Sequence, residues 1–192
     1  WDGGSQDDVQ QVWNPTTQAF LGVAYASDMF CAAHTHLADG RVLVNGGHTQ
    51  KSQRPDLGIP DVDLFDAETT SWIEASEMRF PRYYPTTLLL GDGRALTVGG
   101  LMTTSRWADT PEVYDPWADT WWVLPEANTS DLHTGQYLRA HLLSDGTVYV
   151  INPADGRLRL LDVSTQGWTD VGPSPQRWGS TGQYRPGKIL MT

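Results

Sequence analysis

The stretch Leu90-Gly91-Asp92-Gly93-Arg94-Ala95-Leu96-Thr97-Val98-Gly99-Gly100 decides how this chain folds. Two apolar runs flank an Asp-Gly pair, the strongest short-range signal for a β-hairpin. A two-residue turn of that kind needs positive φ at both turn positions, which Asp and Gly tolerate. Working outward, the pattern recurs as Leu37-Ala38-Asp39-Gly40-Arg41-Val42-Leu43-Val44-Asn45-Gly46-Gly47. It returns as Leu143-Ser144-Asp145-Gly146-Thr147-Val148-Tyr149-Val150-Ile151-Asn152-Pro153, which loses the glycine pair. The aspartates step evenly (92 − 39 and 145 − 92 both give 53). A degenerate fourth copy, Tyr184-Arg185-Pro186-Gly187-Lys188-Ile189-Leu190-Met191-Thr192, follows.

A second signature is offset from the first. An apolar strand ends in Asp66, Asp115, Asp162 or Asn14, and a large aromatic follows six positions later at Trp72, Trp121, Trp168 or Phe20. Asp or Asn before small polar residues is turn chemistry. Each unit therefore holds two hairpins, or four short antiparallel strands, and no stretch carries a convincing helical period. Such a unit cannot bury both faces alone. Units stacked radially bury each other, with the repeated Trp filling the gap between them. A plain β-sandwich is the competing fold, but it gives no reason for one spacing to recur four times.

The expected architecture is an all-β propeller segment over residues 1–192, built of four-stranded antiparallel blades. A half-blade is expected at 9–22, whole blades at 34–75, 86–124 and 138–171, and a half-blade at 180–192. That is about half of a seven-bladed ring, or else a four-bladed ring closed by its two half-blades. The remainder of a propeller, or another chain, is expected to complete the open blades.

Composition narrows the function. With 13 Lys+Arg against 23 Asp+Glu the net charge is −10, which argues against nucleic acid and anionic membrane surfaces. No apolar run approaches the roughly 18 residues of a membrane span. The chain opens at Trp1 without a basic-apolar leader, so any secretory leader is expected to be already removed. A single cysteine among 192 residues excludes an internal disulfide framework and a cysteine-rich zinc site. Asp61, Asp63 and Asp66 look like a calcium run but alternate along a strand, where solvated edge positions are expected. Asn128-Thr129-Ser130 is a glycosylation sequon expected in a surface loop.

The repeat gives that cysteine a place. Cys31 lies eight residues before its Asp-Gly turn, and the same offset in the other units gives Tyr84, Tyr137 and Trp178. These four enter the innermost strands at one level and are expected to ring one mouth of the central channel. His34 and His36 alternate just after Cys31 and are either candidate metal ligands or inner-strand packing groups.

The four-strand blade, the glycine pair and the Tyr-Asp to Trp spacing resemble kelch repeats. Phe30-Cys31 ahead of Gly46-Gly47, and Arg82-Tyr83-Tyr84 ahead of Gly99-Gly100, resemble successive blades of the galactose oxidase and glyoxal oxidase family of copper radical oxidases. The resemblance covers the chain from about Val12 to Thr192. It implies a thioether between Cys31 and the ring of Tyr84, a copper ion on the Tyr84 oxygen, and a ring radical. It implies oxidation of an alcohol, aldehyde or carbohydrate by O2 with release of hydrogen peroxide, in an extracellular protein. Copper(II) favours tetragonal N and O donors, and the family's second tyrosine and two histidines lie farther along than this sequence reaches. The family also stacks a tryptophan on the modified tyrosine, for which Trp107 is the candidate, although Leu101 to Arg106 intervene. Its substrate-side arginine corresponds, one position off, to Arg139. The alternative function is a non-catalytic kelch propeller that binds carbohydrate or protein or serves in assembly.

Overall fold

A computed structural model describes residues 10–24, 27–48, 58–130, 135–176 and 179–192. The chain opens with a hairpin of β1 (Gln10–Trp13) and β2 (Phe20–Val23). The first four-stranded sheet is β3 (Ala33–His36), β4 (Val42–Asn45), β5 (Val62–Asp66) and β6 (Ser71–Glu74), in that spatial order. The second begins with β7 (Thr86–Leu89) and β8 (Ala95–Val98). It then inserts a side hairpin, β9 (Leu101–Thr103) and β10 (Arg106–Trp107), before β11 (Glu112–Asp115) and β12 (Thr120–Val123) complete it. The third is β13 (Arg139–Leu142), β14 (Val148–Asn152), β15 (Arg157–Asp162) and β16 (Gly167–Pro173). A last hairpin joins β17 (Thr181–Arg185) and β18 (Lys188–Met191). The only helical element among the described residues is a 3₁₀ turn, Pro125–Ala127. The protein is thus all-β, with meandering antiparallel sheets of kelch-propeller type.

The inner turns are built differently from the expectation. Gly40, Gly93 and Gly146 take φ of +92°, +87° and +87°, but the preceding aspartates do not have positive φ. Each turn is a three-residue loop: Gly40 N–H donates to Leu37 O at 3.1 Å, and Leu37 N–H donates to Arg41 O at 2.9 Å. That is a type I turn followed by a left-handed glycine. The aspartate accepts instead, taking the backbone N–H two residues on at 3.0, 3.1 and 3.0 Å (Arg41, Arg94, Thr147). The outer turns are equally regular. Asn14, Asp66, Asp115 and Asp162 each accept two backbone N–H groups. Four residues on, Gln18, Thr70, Asp119 and Gln166 all sit at positive φ.

The blades bury each other. Leu37, Leu43, Val62, Leu64 and Met78 of the first pack against Ala95 and Tyr114 of the second. Leu96, Val98 and Val113 of the second pack against Leu138, Val148, Val150 and Leu161 of the third. The repeated tryptophans seal these seams: Trp121 Nε1–H donates to Ser76 O at 2.8 Å, and Trp168 Nε1–H to Ala127 O at 3.0 Å. The strands β3, β7 and β13 lie side by side as the inner strands of successive blades.

One expectation is overturned. Asp63 is not a solvated edge residue; it is 2% exposed, because β5 lies between β4 and β6. Ser27 lies near its carboxyl and partly offsets the burial, yet its Oδ1 has no hydrogen-bond partner. Burial pushes its pKa up. A carboxyl whose folded pKa is raised favours the native state most at low pH, and that advantage disappears as pH rises through the folded pKa. Asp63→Asn removes the charge and keeps the shape, so it should stabilise the protein at pH 7, where a buried carboxylate is the costly form. Urea melts at pH 4 and pH 7 check this: the gain should be confined to the higher pH.

Candidate functional site

Cys31, Tyr84 and Tyr137 hold one repeat position and one unusual backbone state, with φ of +63°, +57° and +44°. A bulky L-residue in this left-handed region costs about 1–2 kcal/mol. A ladder of backbone bonds runs through the three. Tyr84 N–H donates to Cys31 O at 2.9 Å, and Tyr137 N–H donates to Tyr84 O at 2.9 Å. The chain thus turns its side chain at the same point of each successive blade. Trp178, the expected fourth member, lies outside the described residues.

The glycine pairs make this ladder sterically accessible. A Cβ on Gly46 would overlap the Arg82 carbonyl oxygen, and one on Gly47 would overlap Asp28 O. Gly47 N–H donates to Arg82 O at 2.8 Å, and Arg82 N–H donates to Ile59 O at 3.0 Å. One blade on, a Cβ on Gly99 would lie 2.8 Å from Gly135 O. So each pair ends its strand in a backbone-to-backbone contact that seats the next blade's entry segment.

The side chains converge as well. The Tyr84 phenol lies beside the Cys31 thiol. The thiol's proximity, with partial burial, pushes the Tyr84 pKa up to about 12. Burial raises the Cys31 thiol, against the lowering effect of the phenol. The Tyr84 ring meets Tyr137 edge-on at 5.0 Å between centroids and lies 5.0 Å from Tyr83, which in turn meets His48 at 5.1 Å. Tyr137 is 47% exposed and Tyr83 buried, so this aromatic row runs from the surface inward. Tyr83 escapes notice in the sequence because it sits beside the repeat position rather than on it.

Other candidates fall elsewhere. Trp107 lies on β10 opposite Leu101 and makes no ring contact with Tyr84; Tyr83 and Tyr137 are the rings that do. Arg139 spends its guanidinium on backbone, donating from Nε to Gly179 O at 2.9 Å and from Nη1 to Tyr137 O at 3.2 Å. His34 and His36 share one exposed face of β3. His141 Nε2 shares a 2.8 Å hydrogen bond with Thr181 Oγ1, and burial lowers its pKa. Among the described residues, no three His, Cys, Asp or Glu side chains converge on a point that could hold a metal.

Arg82 and Glu112 went unmarked in the sequence, and both side chains are fully buried. Arg82 Nη2 meets Glu112 Oε2 at 2.8 Å. Its Nη1 donates to Gly99 O at 2.6 Å and Ala108 O at 3.1 Å, and Nη2 also reaches Thr110 O. Glu112 Oε1 accepts Arg79 N–H at 2.7 Å.

Comparison with known proteins adds relatives to this geometry. No protein-family model matches the chain. A galactose oxidase of Gibberella zeae is 31% identical over 125 residues, which is 64% of this chain and 17% of that protein. An F-box/kelch-repeat protein of Arabidopsis thaliana is 26% identical over 172 residues, 89% of this chain and 39% of that one. A solved structure described as a novel fungal alcohol oxidase of the AA5 family, in complex with copper, superposes with a TM-score of 0.65 at 21% identity. It covers 85% of this chain and 34% of its own. The chain thus spans well under half the length of each of these relatives. Among the described residues, no helix is long and apolar enough to cross a membrane.

Proposed function

We propose, on the premise that this is a galactose oxidase-like kelch chain, that it carries the cysteine–tyrosine half of a copper radical oxidase site. The observation that supports this is the placement of Tyr84 and Cys31 at equivalent positions of adjacent blades, joined by the Tyr84 N–H to Cys31 O bond, with the phenol close enough to the thiol for its pKa to be raised by it. It brings the only thiol of the chain to a phenol, the pairing from which a Cys–Tyr thioether is made. Of the described residues, the Tyr84 oxygen is the donor suited to copper. His34 and His36 are exposed on β3, and among the described residues no three His, Cys, Asp or Glu side chains come together, so further donors would have to be supplied from outside this set. Copper and a sulfur-modified tyrosine together supply the two redox equivalents that a two-electron oxidation needs.

The chain's own residues do the rest. The backbone ladder fixes Tyr84 between Cys31 and Tyr137. The neighbouring thiol favours the protonated phenol, so the oxygen would have to give up that proton to a base if it held a metal. Tyr137, half exposed, forms the wall that a small alcohol, aldehyde or carbohydrate would meet, with O2 as the oxidant. The resemblance to the copper radical oxidases makes an extracellular location the expected one.

Intact mass tests the assignment. After exposure to copper and air, the chain should lose the mass of two hydrogens, and Cys31 should resist alkylation. Cys31→Ser and Tyr84→Phe should each prevent the loss. A thiol still fully alkylatable after that treatment would leave the second reading, a kelch module that binds carbohydrate or protein without redox chemistry. The F-box/kelch relative favours that reading.

A further inference from the structure

We infer that Arg82 and Glu112 are positioning residues, a buried ion pair that holds segment 82–84 so that the Tyr84 phenol reaches the Cys31 sulfur. The functional meaning of this hold rests on the oxidase assignment above; the hold itself rests on geometry.

Arg82 faces two ways. Its guanidinium is bound entirely within the second blade and its side hairpin, to Gly99 O, Ala108 O, Thr110 O and Glu112. Its backbone is bound entirely to the first blade's loops, through Gly47 N–H and Ile59 O. Two residues on, Tyr84 N–H takes Cys31 O, also on the first-blade side. Arg82 therefore fixes how the two blades register at the level where Cys31 and Tyr84 meet.

The repeat separates this role from ordinary blade stability. Arg82 stands ten residues before its Asp-Gly turn, where the other two whole units have Met29 and Gly135. Glu112 stands three residues before Asp115, where the others have Asp63 and Arg159. The first blade thus buries an acid without a base, and its Oδ1 goes unpaired. The third puts a base where the acid would be and pairs it with Asp155 at 2.6 Å. All three blades form the same four-stranded sheet. The fold does not require the Arg–Glu pair, and the blade that has it is the one that presents Tyr84. A buried ion pair costs desolvation and is a poor device for stability alone, but a good one for fixing a single arrangement.

The sole cysteine provides a clean readout. In chain produced without copper, the alkylation rate of Cys31 by iodoacetamide is measured in a double-mutant cycle. Its corners are wild type, Tyr84→Phe, Arg82→Met/Glu112→Leu, and all three substitutions together. Loss of a phenol–thiol contact worth about one hydrogen bond should shift the rate about fivefold. If the pair positions Tyr84, Arg82→Met/Glu112→Leu shifts it by a similar factor, and adding Tyr84→Phe changes nothing further. If the effects simply multiply, the pair does not act through Tyr84 and the inference falls. Thermal melts monitor the fold, which an apolar replacement of both partners should leave intact. If that variant does not melt cooperatively, Glu112→Gln replaces it in the cycle, since Arg82 keeps its three carbonyl partners. A wild-type thiol that stays free after copper and air would overturn the oxidase assignment, while the cycle still decides the positioning.

Discussion

Gly46→Ala should lower the stability of the folded chain by about 3–4 kcal/mol, whereas Gly40→Ala, also at positive φ, should cost only about 1–2 kcal/mol. Both glycines sit in the left-handed region, at +74° and +92°, so any side chain pays the same kind of backbone strain there. The difference is space. Nothing lies within 4 Å of a Cβ built on Gly40, while one on Gly46 would overlap the Arg82 carbonyl oxygen and approach Pro85. Relief requires the Arg82–Tyr84 segment to move outward, which breaks the Gly47 N–H to Arg82 O bond and the ladder to Cys31. Overpacking of this kind costs about 1–3 kcal/mol beyond the strain. Urea unfolding of the two variants, with slopes compared to confirm two-state behaviour, measures the difference. Equal losses would mean that the blades separate freely at this seam.

The contrast also shows which features were legible in the sequence. The repeat was, because its signals are local: an aspartate that accepts the N–H two residues on, a glycine at positive φ, an aromatic six residues after Asp or Asn. Each is chosen by the backbone within one turn of chain, so spacing alone aligned Cys31 with Tyr84 and Tyr137. The exact turn type was not, since Asp39 and Asp92 serve a three-residue loop as well as a two-residue one. The positive φ at Cys31, Tyr84 and Tyr137 carries no signal either. No glycine or asparagine marks it, and it is imposed by neighbouring blades through the ladder. Asp63 reads as a surface residue because its strand alternates, yet in a propeller both faces of a middle strand are covered. The surroundings of Arg139 and Trp107 were illegible for a related reason: motif position places a residue on a strand but does not say which carbonyl or hairpin its side chain will meet. The Arg82–Glu112 pair spans 30 residues and breaks the repeat, so it is visible only in three dimensions.

Arg82→Ala should cost about 3–5 kcal/mol, the loss expected when one partner of a buried pair is removed and the other is stranded. The stranded groups are specific. Glu112, whose side chain is fully buried, would keep only the Arg79 N–H, and the carbonyls of Gly99, Ala108 and Thr110 would each lose a donor. A carboxylate stranded in the interior without its counter-charge is the costly outcome, and an apolar replacement of both partners avoids it. Arg82→Met/Glu112→Leu should therefore fall well short of the full loss, because no buried charge remains. Thermal denaturation of the two variants separates the contributions. Equal losses in both would mean that packing at this position, and not the stranded charge, carries the cost, and that the seam between the blades is wetter than its burial indicates.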